Sequence, residues 1–183
     1  MKTQDLTKTS WAIDPSHSKV GFKVKHLMIS NVLGSFREFE GQVSTNGNDF
    51  STAAISFSLN AASVDTEIAD RDTHLKGTDF FDAANHPKIT FEGNSLKDLG
   101  DDMYELTGNL TIKQVSHPVK LSVEYGGIMT DPWGNIKAGF SISGKINRKD
   151  WGLNWNAALE AGGVLVSDEV KINCDIELAK VVS

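Results

Sequence analysis

The chain has 183 residues, of which 39% are hydrophobic, a formal net charge of -6 and one cysteine. This length suits a single domain with a sizeable core, and the acidic balance, without a long basic run, argues against a nucleic-acid groove or an anionic membrane surface as a partner. A lone cysteine excludes an intramolecular disulfide and a thiolate metal cluster within one chain.

The N-terminal residues 1–10 are polar, contain Asp5 and lack the apolar segment of a secretory signal. We predict a flexible tail over residues 1–10, one β-barrel domain over residues 11–183, and a cytoplasmic location, or a periplasmic one if a signal has been removed. The sequence contains no run of about 18 apolar residues, so we expect no membrane span.

From residue 11 onward, apolar and polar side chains alternate in short runs, which is typical of half-buried strands. The first run stops at Pro15, and a change of phase between Phe36 and Phe39 predicts a bulge. Asn46-Gly47 and Asp131-Pro132-Trp133-Gly134 are turn signals. The second run places Lys19, Lys23 and Lys25 on one face and Val20, Phe22, Val24 and His26 on the other. Later runs place these residues on an apolar face: Ile55, Phe57, Phe91, Leu110, Ile112, Leu121, Val123, Phe140, Ile142, Ile172 and Ile176.

The stretch over residues 63–91 departs from this alternation. Val64, Ile68 and Leu75 fall on one helical stripe, Ser63 or Asp65 is placed to cap its start, and Gly77 is placed to end it. A single helix among strands must pack against a face or an opening of the sheet. We therefore predict a short helical insert near residues 64–82.

We expect this insert to be a lid over one end of a barrel. Its apolar side chains would pack over the opening, and its charges would hold it in place. The apolar set is Ile68, Leu75, Phe80 and Phe81, and the charged set is Asp70, Arg71 and Asp72.

About eight strands joined mostly by short turns predict an all-β fold, an extended antiparallel barrel. Such a barrel is just wide enough for side chains or for one small ligand. Gly93, Gly108 and Gly144 fall on inward-facing positions. They either permit strand bends or leave a tunnel, and the pattern leaves both open. A tunnel with this lining would take an apolar chain.

The histidines lack the spacing of metal ligands, so we predict no metal site. Asp72 and His74 could form a catalytic pair, although no serine or cysteine stands in a nucleophile elbow. His26 points inward, either as a hydrogen-bonded core group or as a ligand contact. Cys174 lies on the apolar face of a strand, which is typical of an inert core thiol.

The connection over residues 147–163 is rich in Trp, Asn and Gly. Either pairing of Arg148 with Asp150 holds it as a structured loop, or it forms part of the barrel mouth with Trp155.

Several runs, in order along residues 11–180, resemble the YceI-like family. They are Phe22-Lys23-Val24-Lys25-His26, Val32-Leu33-Gly34-Ser35-Phe36 with Phe39-Glu40-Gly41, Asp70-Arg71-Asp72-Thr73-His74-Leu75 with Asp79-Phe80-Phe81, Pro87-Lys88-Ile89-Thr90-Phe91, Gly108-Asn109-Leu110-Thr111-Ile112, and Ile146-Asn147-Arg148-Lys149-Asp150-Trp151-Gly152-Leu153.

The resemblance implies a lipocalin-like barrel with a long apolar tunnel and binding of polyisoprenoid chains, including quinone or prenyl-phosphate types, or of other long amphiphiles. We accordingly expect a non-enzymatic carrier or store for an isoprenoid lipid, with no required cofactor, no nucleic-acid partner and a homodimer as the default assembly. An enzyme acting on such a lipid and a ligand-free structural barrel remain alternatives. The expected ligand-binding residues are Phe22, Val24, His26, Ile55, Phe57, His74, Phe80, Phe91, Leu110, Ile112, Leu121, Val123, Phe140, Ile142, Ile172 and Ile176.

Overall fold

The computed structural model describes residues 8–157 and 165–181, which contain eleven β-strands and one α-helix, α1, at Ala69–Lys76. The strands are β1 (Lys8–Ile13), β2 (Lys19–His26), β3 (Ser30–Phe36), β4 (Phe39–Asn46), β5 (Asp49–Asn60), β6 (Val64–Asp65), β7 (Lys88–Gly100), β8 (Met103–Ile112), β9 (Val115–Thr130), β10 (Ile136–Asn147) and β11 (Val166–Lys180).

Eight antiparallel strands close into a barrel, which confirms the predicted fold class. The order is β1-β4-β5-β7-β8-β9-β10-β11, and β11 pairs back with β1. The remaining strands β2, β3 and β6 lengthen this wall at one end. β11 pairs with β1 through residues 178–180 and with β2 through residues 166–175, so β1 and β2 act as one strand interrupted by the 3₁₀ turn Pro15–His17.

Aromatic side chains fill one end of the barrel, which we call the plugged end. Phe50 lies at the centre, with its ring centroid 5.1 Å from that of Trp11, 5.6 Å from Tyr125 and 4.9 Å from Phe140. Trp11 is fully buried, and its Nε1 donates a 2.9 Å hydrogen bond to Thr45 Oγ1. The polar atom of this core residue is therefore satisfied.

The opposite end, which we call the lid end, carries the β2–β3 turn, α1 and residues 148–157. β6 pairs with β3 only at Ser35 and Phe36, and β7 begins at Lys88 beside β5. The wall is consequently interrupted between β6 and β7, and the segment containing α1 lies in that interval. Within the described residues, no helix is long and apolar enough to cross a membrane.

The helix starts later than predicted. Ser63 and Asp65 do not cap it, because Val64 and Asp65 pair with β3 as strand β6. Glu67 then has a φ of 69°, and its N–H donates to Asp65 Oδ1, so the chain turns before the helix begins at Ala69. The predicted end at Gly77 is confirmed.

Three further expectations are corrected. Ile68 is exposed and does not pack over the barrel. β1 begins at Lys8, inside the predicted tail, because Lys8 pairs with Asn46 on β4, whereas residues 1–7 lie outside the described residues. The expected bulge after Phe36 is a complete break between β3 and β4.

Candidate functional site

A cavity of about 410 Å³ lies inside the barrel between the plugged end and the lid end. This volume lies within the range of roughly 300–1,000 Å³ that is usual for ligand sites. Its lining residues on β11 run from Val166 to Leu178, which corresponds to about 40 Å of strand. At a strand tilt of about 40°, the cavity extends about 30 Å along the barrel axis, enough for an extended lipid tail.

The lining is almost entirely apolar, and the structure places every predicted site residue on it. The strands contribute all of these side chains except His74 and Phe80, because the inward positions of a strand recur with a period of two. The sixteen are Phe22, Val24, His26, Ile55, Phe57, His74, Phe80, Phe91, Leu110, Ile112, Leu121, Val123, Phe140, Ile142, Ile172 and Ile176. Their role in binding a ligand stays a prediction.

Many inward-facing side chains keep part of their surface uncovered. Val24, Ile55, Ile142 and Ile172 line the cavity but are only half-buried. A barrel filled by side chains would bury them, as the plugged end buries Trp11. The described part of the barrel is therefore hollow, against the alternative of a filled structural barrel.

The three inward glycines do not create this space. A Cβ at Gly108 would lie 2.5 Å from the Glu92 carbonyl oxygen and 2.5 Å from Phe91 Cζ, and one at Gly144 would lie 2.4 Å from Leu121 Cδ2. Neighbouring side chains already occupy these positions. The β7–β8 register shifts next to Gly93, which favours the alternative that glycine permits a bend.

An aromatic cluster covers the cavity at the lid end. The His74 ring meets Trp155 at 4.6 Å and Phe80 at 5.1 Å, both edge-on, and the rings of Phe80 and Trp155 are 5.4 Å apart. Trp155 lies on the connection between β10 and β11. Two separate segments of chain thus meet over the opening through these three side chains, which we call the lid cluster.

Two charges of the insert bond to Thr66, which lies within the insert itself, so they fix the start of α1, and the expectation that they hold the lid on the barrel stays a prediction. Arg71 Nε donates to Thr66 Oγ1 at 2.7 Å and its Nη2 to the Thr66 carbonyl at 2.8 Å. Asp72 Oδ1 accepts from the Thr66 N–H and hydroxyl at 2.8 and 2.6 Å. Asp70, in contrast, is exposed and has no part in this set of hydrogen bonds. Because Asp72 bonds Thr66 while His74 Nε2 lies 2.9 Å from Asp79 Oδ2, the predicted Asp72–His74 pair does not form.

Arg148 holds the β10–β11 connection, as the structured-loop interpretation expected, but through partners that the sequence pattern did not indicate. It is buried and lines the cavity, and it donates to the carbonyl oxygens of Leu153 (2.5 Å), Ser167 (2.9 Å) and Val166 (3.4 Å). Burial lowers the pKa of its guanidinium. Arg148 thus fastens both ends of the β10–β11 connection, of which residues 158–164 lie outside the described residues. The pairing with Asp150 is replaced by these carbonyls.

Two polar cavity residues differ from their expected surroundings. Among the described residues, the His26 ring makes no hydrogen bond, although it lines the cavity near the lid end. This favours its interpretation as a ligand contact. Cys174 also lines the cavity instead of lying in packed core, and burial raises the pKa of its thiol to about 11. It is therefore protonated and unreactive at neutral pH.

One group on the outside of the barrel resembles a metal site in composition. Asp14, His17 and Glu177 lie close together, but Lys137 Nζ is 2.8 Å from Asp14 Oδ2 and 3.6 Å from Glu177 Oε1. The hydrogen bond from Lys137 is the main cause that lowers the pKa of Asp14. The hydrogen bonds of Lys137 and His17 to Asp14 raise the pKa of each of these two residues. The group is a satisfied ion-pair network that joins β10 and β11 to the β1–β2 break.

A closed eight-stranded antiparallel barrel with a long apolar cavity and a helical lid defines the class of lipocalin-like barrels. The chain belongs to the YceI-like family, because the family model for the YceI-like domain matches residues 11–178.

Relatives and solved structures agree with this assignment. A UPF0312 protein of Staphylococcus epidermidis is 37% identical over 172 residues, covering 93% of this chain and 98% of the relative. The YceI protein of Campylobacter jejuni superimposes with a TM-score of 0.75 at 33% identity, covering 93% and 96% of the two chains. A polyisoprenoid binding domain from Saccharophagus degradans, implicated in plant cell wall breakdown, has the same fold, with a TM-score of 0.68 at 14% identity and coverages of 93% and 98%.

Proposed function

We propose that this protein binds a long-chain isoprenoid lipid, of the polyprenyl or isoprenoid quinone type, and stores or transports it without chemical change. The observation that carries the proposal is the apolar cavity of about 410 Å³, which is long, hollow, plugged by aromatic strand residues at one end and covered by the lid cluster at the other. A long apolar chain is the ligand whose shape and chemistry match it.

Burial of the tail would supply most of the binding free energy. Each CH₂ group removed from water contributes about 0.8 kcal/mol, so a tail of many carbons outweighs a few head-group hydrogen bonds of about 1 kcal/mol each. The cavity wall between the two ends consists of aliphatic and aromatic side chains. We therefore expect affinity to follow tail length more closely than head-group identity.

The head group would remain at the lid end. His26, Arg71 and His74 are three of the cavity residues with polar side chains there, beside Lys25 and the carbonyl-bonded Arg148, whereas aromatic rings close the other end. A lipid entering with its tail first would reach the plug and leave its polar group beside these three residues. Family membership and the fold shared with the S. degradans polyisoprenoid binding domain support this choice of lipid class.

No particular observation favours an enzyme. Asp72 and His74 bond to different partners and do not form an acid–base pair, and the Cys174 thiol is protonated at neutral pH. We propose that the lipid is cargo and that no cofactor is needed to bind it.

Native mass spectrometry with two lipid series tests the proposal. One series keeps a quinone head group and lengthens the isoprenoid tail, and the other keeps one long tail and changes the head group. We expect a one-to-one complex whose affinity rises steeply along the first series and changes little along the second. Absence of a stoichiometric complex, or affinity that is independent of tail length, would contradict the proposal.

A further inference from the structure

The β2–β3 turn exposes apolar side chains at the lid end. Leu27, Met28 and Ile29 form the turn, Ile29 is 84% exposed, and the outward-facing Leu33 on β3 is 67% exposed. We call Leu27, Met28 and Ile29 the apolar tip; Leu33 lies further along the outer face, opposite Lys23. Exposed large side chains in a contiguous group mark contact surfaces, whereas single exposed ones need no explanation.

The backbone of this turn is unfavourable for the residues it contains. Leu27 has a φ of 55° and Met28 a φ of 63°. Such a pair of left-handed conformations usually belongs to Asn-Gly, because bulky side chains adopt it rarely. Leu27 and Met28 therefore occupy a turn conformation that their side chains adopt rarely.

The strand that leads to the tip is cationic, although the whole protein is acidic. Residues 19–37 contain Lys19, Lys23, Lys25 and Arg37 and no aspartate or glutamate, against a net charge of -6 for the chain. Net charge thus conceals a local positive region. Arg37 is already paired with Asp65.

Three lysines meet on the outer face beside this strand. Lys171 on β11 lies directly opposite Lys23 on β2 and Lys145 on β10. We call these three residues the lysine row. Like charges in directly opposed positions destabilise a sheet, and within residues 8–157 and 165–181 none of the three has a carboxylate within 4.0 Å. An external anionic surface would relieve this repulsion.

The cavity reaches the same place. Val24, His26 and Val32 line it beneath the tip. The outer edge of β3 over residues 30–34 has no strand partner in the described part of the chain, because β6 pairs only with Ser35 and Phe36. A lipid could pass at this edge without crossing a hydrogen-bonded wall.

We propose that the apolar tip and the lysine row dock the protein on a lipid bilayer containing anionic head groups, so that a lipid passes between bilayer and cavity at the open edge of β3. Apolar residues at an interface enter roughly 5–10 Å. Lys25 and Lys23 lie about 7 and 13 Å along the strand from the tip, where they meet the head-group layer. The proposal rests on the proposed lipid-binding function.

The plugged end also exposes apolar residues but carries the opposite charge. Met129 is 75% exposed and Trp133 83% exposed, while the turns and strand ends there carry Asp49, Asp98, Asp101, Asp102 and Asp131. The α1 insert beside the tip is acidic as well, through Asp70 and Asp79 among others. Charge therefore selects the β2–β3 side of the lid end as the docking face.

Flotation with phosphatidylcholine vesicles, with and without phosphatidylglycerol, tests the proposal on the full chain. The variant Met28→Ser/Ile29→Ser should bind both kinds of vesicle at least about tenfold more weakly. Lys23→Gln/Lys171→Gln should lose about tenfold on anionic vesicles alone, with a weaker dependence on salt. The matched control Met129→Ser/Trp133→Ser, at the plugged end, should bind as the wild type does.

A fluorescence measurement covers the case in which a variant folds poorly. Cys174 is protonated at neutral pH, so an environment-sensitive thiol dye labels Ile29→Cys selectively. The dye should shift to the blue on anionic vesicles, and the same dye on Met129→Cys should not. An equal shift at both positions would overturn the proposal, as would equal losses in the tip and control variants.

Loading of an isoprenoid quinone from detergent, measured in parallel, distinguishes a failure of the docking proposal from a failure of the proposed lipid-binding function. Loading from detergent without vesicle binding overturns the docking face and leaves the proposed function standing. Tip-dependent vesicle binding without loading from either source overturns the proposed function. If the tip variant changes the sedimentation of the protein but wild type does not float, the tip joins two copies of the chain, which also overturns the proposal.

Discussion

At the plugged end, Trp11 is fully buried beside Phe50 and its indole N–H is bonded to Thr45. At the lid end, His74 and Trp155 also meet edge-on, but neither is fully buried, and they belong to two segments that pass over the opening. Both ends of one barrel are thus closed by aromatic rings. Only the first closure is built into hydrogen-bonded strands.

The difference indicates that the two ends of the barrel have different roles. Fully buried aromatic residues contribute several kcal/mol to stability each, whereas a contact between partly exposed side chains of α1 and the β10–β11 connection can open at low cost. The plugged end stabilises the fold. Under the proposed function, it would also set how far a tail can reach, and the lid end would control entry and release.

The largest expected effect is at the plugged end. Trp11→Ala should lower the free energy of unfolding by about 3–5 kcal/mol, which corresponds to a fall in Tm of roughly 10 °C for a chain of this size. Thr45→Val, which removes the acceptor of the Trp11 N–H, should cost about 1–3 kcal/mol. Thermal unfolding followed by circular dichroism measures both changes. An unchanged Tm for Trp11→Ala would contradict a stabilising role of the plugged end.

Filling the cavity between the two ends should weaken lipid binding strongly with little loss of stability. Ile172→Trp places a larger ring in the hollow region, since Ile172 is half-buried on the cavity wall, and we expect at least about a tenfold loss of affinity. Asn173→Trp is the matched control, because its side chain points outward from the next position of β11. Equal affinity of the two variants in native mass spectrometry would place the ligand elsewhere.

Opening the lid should change the rate of release more than stability. Trp155→Ala removes one member of the lid cluster, and we expect several-fold faster transfer of a fluorescent isoprenoid to acceptor vesicles, with a change in unfolding free energy of about 1 kcal/mol. Stopped-flow fluorescence measures the transfer. A large loss of stability without faster transfer would show that the lid end, too, is structural.

The smallest expected effect is on the alkylation rate of the Cys174 thiol, which lies on the cavity wall. Its pKa is raised to about 11 by burial, so the thiolate fraction, and with it the rate of alkylation, should rise about tenfold per pH unit from pH 7.5 to 9.5, where an ordinary thiol of pKa about 8.5 levels off. Because the chain has one cysteine, mass spectrometry follows this site alone. Bound lipid should slow the reaction, and a plateau near pH 9 would contradict the burial.

The barrel and its inward residues were predictable because alternation is local information. Phe22, Val24 and Ile172 could be assigned to the inside from the period of two alone. The role of Gly108 could not, because it depends on the Phe91 ring of the neighbouring strand. The predicted start of α1 was wrong for a similar reason, since pairing with β3 keeps Val64 and Asp65 in a strand.

The polar residues of the site were the hardest to assign. The contacts of Arg148 are backbone carbonyls at Leu153, Val166 and Ser167, which no side-chain pattern indicates. His74 was expected beside Asp72, but the turn after Gly77 brings Asp79 to it instead. Such contacts follow from the positions of loops and strand ends, which sequence periodicity does not determine.

The central claim is that the hollow between the two ends holds a lipid tail, and a crystal structure of the protein loaded with a long-chain isoprenoid quinone tests it most directly. We predict continuous, elongated electron density along Val24, Ile142 and Ile172 that ends at Phe50 and Phe140, with the head group beside His26 and His74. Density for the lipid outside the barrel, or side chains collapsed into an empty interior, would contradict the account.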